Sequence, residues 1–252
     1  MLISDPAARF ARAAEKRRAV LLFLGAEVWS SADVLGRVAG IEARQAVHRL
    51  LTAMEADELV RRAPAPVVRG QGVTLWGITH QGRALTEGLD PLGPVFEPSK
   101  LSLTTVPHQL LLQELRLAAE AAGWTAWTRG ERLPKDAPVR PDALVTRPDG
   151  HVVAVEAERS LKTPKRYQAL VSQHLQAMRK GQWVGVYYVA PPAVAGGLAR
   201  IFGAIDRLPG GIPWDDAGRR RFRLLQVAEW PPSLSQSQQK ESADEQRSIT
   251  PA

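Results

Sequence analysis

The hydrophobic and polar pattern opens with a helix expected over about residues 5–24, where Asp5 offers an N-cap and Pro6 occupies the first helical position. Ser30 or Ser31 caps a short second helix, which carries Val34, Leu35 and Val38 on one face and stops at Gly40. A third helix over residues 41–57 turns Ala46, Val47, Leu50, Leu51 and Met54 inward. Its outer positions hold Glu42, Arg44, Gln45, His48 and Arg49. Leu59-Val60-Arg61-Arg62 and Thr74-Leu75-Trp76-Gly77-Ile78-Thr79 alternate as half-buried strands do, joined by a loop containing Arg69-Gly70-Gln71-Gly72. A short helix over residues 79–85 closes this part of the chain.

The pattern breaks over residues 91–106, where Pro91, Pro94 and Pro98 resist regular structure, and this stretch reads as a linker. A helix over residues 107–123, apolar at Leu110, Leu111, Leu115 and Leu117, then opens a second domain. Trp124-Thr125-Ala126-Trp127-Thr128 suggests a strand, and two apolar runs around the turn Pro148-Asp149-Gly150 read as a β-hairpin. A helix over residues 164–180, a buried-looking strand at Trp183-Val184-Gly185-Val186-Tyr187-Tyr188-Val189, a helix over residues 193–208 and a last strand at Phe222-Arg223-Leu224-Leu225-Gln226-Val227 follow. The order αβββαβαβ predicts an α/β (α+β) fold, a mixed α/β sandwich like the restriction-endonuclease core. Residues 231–252 are polar and charged with almost nothing apolar, so a disordered tail is expected there. The expected organisation is thus 1–90, a linker at 91–106, 107–230 and the tail.

Helix, helix, helix, two strands, helix is the order of a winged helix-turn-helix. A polar third helix and a basic, glycine-containing hairpin tip suit a helix in the major groove of duplex DNA and a wing on its backbone or minor groove. Arg44, Gln45, His48 and Arg49 are then the candidate base or backbone readers, with Arg69 on the wing. The plainer alternative is a solvated helix face. Charge adds to this picture: 33 Lys and Arg against 26 Asp and Glu leave +7, a field that favours polyanions. Residues 1–90 hold twelve bases and ten acids, residues 91–230 nineteen and thirteen, and residues 231–252 two and three.

The absence of cysteine excludes a disulfide framework and a thiolate metal site. His48, His80, His108, His151 and His174 lack ligand spacing, so zinc is not expected, and each reads as a surface or structural residue. No apolar run approaches the roughly 20 residues that a membrane span needs. Leu21-Leu22-Phe23-Leu24 is too short for a signal peptide, so a cytoplasmic protein is expected.

The chemistry concentrates in Arg140-Pro141-Asp142 and in Val152-Val153-Ala154-Val155-Glu156-Ala157-Glu158-Arg159-Ser160-Leu161-Lys162. Residues two apart on a strand share a face, so Glu156 and Glu158 lie on one side, and hairpin pairing can bring Asp142 to them. Three close carboxylates repel unless a cation, basic side chains or water offset the charge. A hard divalent ion such as Mg²⁺ prefers oxygen ligands of this kind. The arrangement is that of nucleases with a PD-(D/E)xK core, working or lapsed. The plain alternative is a surface ion-pair cluster of Glu158, Arg159, Lys162 and Lys165. Gly196-Gly197 and Gly210-Gly211 lack the surroundings of a phosphate-cradling loop, and no Ser/His/Asp arrangement stands out.

Together, the winged helix, the helix with His108 and Glu114, Pro141-Asp142-Ala143 and Val155-Glu156-Ala157-Glu158-Arg159-Ser160 resemble the replication-relaxation family of plasmid and mobile-element proteins, over about residues 15–190. The resemblance implies a relaxosome-type accessory factor for plasmid mobilisation or replication, with a restriction-endonuclease-like C-terminal half. It implies double-stranded DNA and a relaxase or replication protein as partners. A second copy of the chain is a further partner to consider, and a membrane is not one. By the same resemblance Asp142 matches the first acid of the nuclease core, Glu156 the second and Glu114 an auxiliary acid. In an active enzyme Asp142, Glu156 and Glu114 would hold Mg²⁺, and Asp142, Glu156, Glu158 and Lys162 would form the catalytic set. Glu158 stands where an active nuclease usually has lysine, so Lys162 or Lys165 would have to supply that cation from a shifted position. The expectation is a DNA-binding protein with a degenerate nuclease-like site. The alternative is a metal-dependent DNA endonuclease, and a ligand-sensing regulator is the weakest reading.

Overall fold

Asp5 starts the first helix, α1 (Pro6–Glu27), by accepting from the backbone N–H of Ala7 at 3.0 Å, in a computed structural model that describes residues 5–65, 72–134 and 139–233. A short strand, β1 (Trp29–Ser31), follows, and Ser31 then caps α2 (Ala32–Val38) through the N–H of Val34. Gly40, at φ +61°, makes the turn into α3 (Arg44–Ala56). The strands β2 (Val60–Pro64) and β3 (Thr74–Ile78) pair antiparallel, and Thr79 caps α4 (His80–Ala84). The sheet order is β1-β3-β2. Three residues are too few to show a period, which is why β1 carries no signal of its own; only its pairing with β3, Trp29 to Gly77 and Ser31 to Leu75, defines it.

The proline-rich stretch expected as a linker is fastened to this part of the molecule. Phe96 is fully buried with Trp29, Ala63 and Leu75, and a Cβ on Gly77 would strike its ring. The buried Arg83 donates to the carbonyls of Gly25 at 2.8 Å, Pro94 at 2.9 Å and Asp90 at 3.2 Å. Proline excludes regular structure here, yet an aromatic anchor, the Phe96 N–H on the carbonyl of Ile78, and the guanidiniums of Arg83 and Arg61 on main-chain carbonyls hold the segment. Residues 91–106 therefore belong to the first of two compact units, Met1–Glu114 and Leu115–Ala252. The division falls inside α5 (Thr105–Ala121).

The second unit is built on a mixed five-stranded sheet of order β4-β5-β6-β7-β8. The elements run β4 (Thr125–Arg129), β5 (Ala143–Thr146), β6 (Val152–Ala157), α6 (Pro164–Arg179), β7 (Val186–Ala190), α7 (Pro192–Gly203), α8 (Asp216–Arg220) and β8 (Phe222–Gln226). The first three strands are antiparallel, and β7 and β8 continue the sheet in parallel. Gly150, at φ +85°, makes the hairpin turn between β5 and β6. Alternation along the strands sorts the core. Ala154, Tyr188 and Ala190 pack with Tyr167 and Val171 of α6 and with Leu198 and Phe202 of α7. Their neighbour Tyr187 meets Trp124 and Trp230 edge-on at 5.8 and 5.6 Å. The fold is α+β, and no helix of the described residues is long and apolar enough to cross a membrane. The stretch expected as a disordered tail lies almost wholly outside the described residues.

Candidate functional site

Two groups of residues carry chemistry, one on each unit. In the first unit the buried side of α3 consists of Val47, Leu51 and Met54. At 100° per residue Gln45 and Arg49 fall opposite this side and Arg44 and His48 on its flank, and all four are exposed. His48 shares a hydrogen bond with Thr52 at 3.1 Å and stands edge-on to Trp76 of β3 at 6.0 Å. Arg62 of β2 lies over the other part of this platform, 5.9 Å from the Trp76 ring, and pairs with Glu55 of α3 at 3.3 Å. A cleft of about 800 Å³ opens between α3, the start of α2 and the β2–β3 hairpin, lined among others by Arg44, His48, Arg62, Thr74 and Trp76. Arg69 lies outside the described residues. A guanidinium on such a surface can fork onto a phosphate or a base edge.

In the second unit the hairpin does bring the strand ends together. Asp142 directly precedes β5, Glu156 is on β6, and Glu158 follows its end. The three acids then turn to separate internal partners. Half-buried Asp142 accepts from the N–H of Ala157 at 2.8 Å. Glu156, 7% exposed, meets Nε2 of the fully buried His174 at 3.0 Å. Glu158, 2% exposed, is ion-paired with Lys162 and hydrogen-bonded by the Tyr167 hydroxyl. Burial lowers the His174 pKa to about 4, so at neutral pH the ring is uncharged. A neutral ring facing a carboxylate carries its proton on Nε2 and donates it, which leaves Nδ1 as a bare lone pair without a partner. Burial, with the charges of Glu158 and Glu156 adding to it, pushes the Tyr167 phenol up to about 12. The Tyr188 phenol is also pushed well above its ordinary value, by burial first and then by Glu156, Glu158, Tyr167 and Asp142, and its hydroxyl finds no partner among the described residues.

This arrangement does not fit the Mg²⁺ that the sequence resemblance implies. Among the described residues no group of three or more His, Cys, Asp and Glu side chains could hold a metal ion. Each strand-end acid turns to a donor of its own, a backbone N–H for Asp142, an imidazole for Glu156, and an ammonium and a phenol for Glu158. Glu114, expected as an auxiliary ligand, is instead ion-paired with Arg37 of α2. Lys162 is ion-paired with Glu158. Arg159 and Lys165 are exposed.

His174, Tyr167 and Tyr188 complete this cluster, and the acid motif alone did not point to them. A burial signal existed for each: Tyr188 lies in the apolar run read as a buried strand, and the other two lie on one stripe of α6. Tyr167, Leu170, Val171, His174, Ala177 and Met178 recur at i, i+3, i+4 and i+7, the stripe that α6 buries, so His174 falls in line with core residues. Comparisons of the chain with family models, with curated proteins and with solved structures return no match, so the function is read from these residues alone.

Proposed function

We propose that this protein is a DNA-binding accessory factor for plasmid mobilisation or replication, of the relaxosome type. Its first unit acts as a winged helix-turn-helix, and its second is a restriction-endonuclease-like unit that grips DNA without cutting it. The single observation that carries the DNA reading is the outer face of α3, where Arg44, Gln45, His48 and Arg49 are exposed beside the β2–β3 hairpin. The degenerate state of the second unit is supported by the engagement of Glu156 with His174 and of Glu158 with Lys162. Such a protein works in the cytoplasm, on duplex DNA, beside a relaxase or replication protein. Titration of labelled duplex DNA by anisotropy tests the reading. Replacing Arg44 and Arg49 together by Ala should weaken binding by about 1–3 kcal/mol if either reads a base bidentately. Unchanged affinity in that variant would remove α3 from the interface.

The rival reading, a Mg²⁺-dependent DNA endonuclease, draws on one observation. Lys162 reaches the end of β6, where it places a cation beside Glu158 and one residue pair away from Glu156. In that reading Asp142→Asn abolishes metal-dependent nicking.

A further inference from the structure

The first turns of α1 serve no packing role in the unit they belong to. Residues 5–15 are exposed apart from half-buried Ala8, and the buried side of the helix begins only at Val20. Over these turns Arg9, Arg12 and Lys16 fall within an arc of about 60°, spread over about 10 Å of helix. Among the described residues no ion pair or hydrogen bond reaches the side chains of Arg9, Arg12, Lys16 or Arg18. Glu15 is the one acid of α1 before Glu27. Arg17 behaves differently: it pairs with Asp57, the residue that ends α3. That ion pair ties the root of the basic stripe to the helix that carries Arg44 and Arg49.

We propose that this stripe is a second phosphate-contacting surface, which runs along duplex DNA beyond the segment that α3 faces. The inference rests on the DNA reading given above. Charge decides the occupant. Glu15 lies off this arc and the Asp5 carboxylate is turned onto the N–H groups of Ala7 and Ala8, so the three cations repel a second copy of themselves and attract a polyanion. The one large apolar side chain here is Phe10, 79% exposed, and the rest of the surface is largely alanine. That is far short of the roughly 800 Å² per partner that a stable protein pair buries. Alanine and arginine are strong helix formers, so the stripe stays ordered as an extension of the anchored half of α1. Contacts of this kind position a protein on DNA and raise its salt dependence without reading sequence.

The test uses the full chain, a labelled random-sequence duplex and three proteins. These are the wild type, Arg9→Gln/Arg12→Gln/Lys16→Gln, and Arg44→Ala/Arg49→Ala. Glutamine keeps the helix and the solvent exposure, and circular dichroism checks that melting is unchanged. The triple variant should lose about 2–3 from the log–log slope of affinity against salt, since each phosphate contact contributes about 0.9. An unchanged slope in the triple variant, with binding still weakened by Arg44→Ala/Arg49→Ala, overturns this inference and leaves the DNA reading in place. A wild type that retains no duplex at low salt overturns both. A change of mass by light scattering in the triple variant, without a change of slope, overturns it in favour of pairing between copies.

Discussion

On α3 the cations Arg44 and Arg49 and the ring of His48 face water, whereas at the end of β6 the carboxylates of Glu156 and Glu158 are 7% and 2% exposed. The difference lies in what each group needs from the fold. An exposed guanidinium keeps its hydration and can exchange it for a phosphate at little cost to stability. A buried carboxylate has lost that hydration and must find donors inside, or it shifts its pKa and neutralises. Glu156 finds His174, and Glu158 finds Lys162 and Tyr167. The first surface is therefore available to a ligand, and the second cluster has become part of the core.

Removing His174 should break this contrast most forcefully. His174→Ala leaves a cavity among Trp183, Tyr188 and Phe222 and strips Glu156 of a donor. A loss of about 3–5 kcal/mol is expected from the two effects in urea denaturation. Arg44→Ala/Arg49→Ala should stay within about 0.5 kcal/mol in the same experiment. Equal losses in both variants would erase the distinction between the units.

Acid should act through the same residue. Unfolded histidine titrates near 6.5 and folded His174 near 4, so below pH 6.5 the unfolded chain binds the extra proton. This contribution is fully present above about pH 6.5 and is lost as pH falls toward 4, at about 1.4 kcal/mol per pH unit and about 3 kcal/mol in all. The difference in stability between wild type and His174→Gln should shrink across that window. A constant difference would show that the ring is not held neutral.

Two smaller effects sharpen the comparison. Lys162→Met leaves Glu158 with one donor fewer, at a cost of about 1–2 kcal/mol in chemical denaturation. That is below the 3–5 kcal/mol of a fully buried pair because the Lys162 side chain is 39% exposed. A stabilised variant would mean that the pair costs more to bury than it returns. Tyr188→Phe removes a buried hydroxyl that has no acceptor, so it should be neutral or raise stability by up to about 1 kcal/mol. A loss of several kcal/mol would reveal a partner for that hydroxyl, such as an internal water.

Much of the fold is legible because local rules and tertiary packing agree. Asp5, Ser31, Thr79 and Thr163 cap helices where cap chemistry predicts it, and Gly40 and Gly150 turn the chain with positive φ. The strand-end position of Asp142, Glu156 and Glu158 also follows from the hairpin signal. Their partners do not. His174 lies 18 residues from Glu156 and reaches it only because α6 packs on the sheet beside β6. The same limit applies to β1, which exists through its pairing with β3, and to Phe96, whose burial no period announces.

The strand-end acids are held by partners within the fold, and under the proposed reading the protein binds DNA without cutting it. Electrophoresis of supercoiled plasmid, incubated with the full chain and Mg²⁺ or Mn²⁺, tests it most directly. The expected result is plasmid that is retarded at low salt and remains supercoiled after the protein is removed. Metal-dependent nicking by the wild type, lost in Asp142→Asn, would contradict it and make the second unit an enzyme.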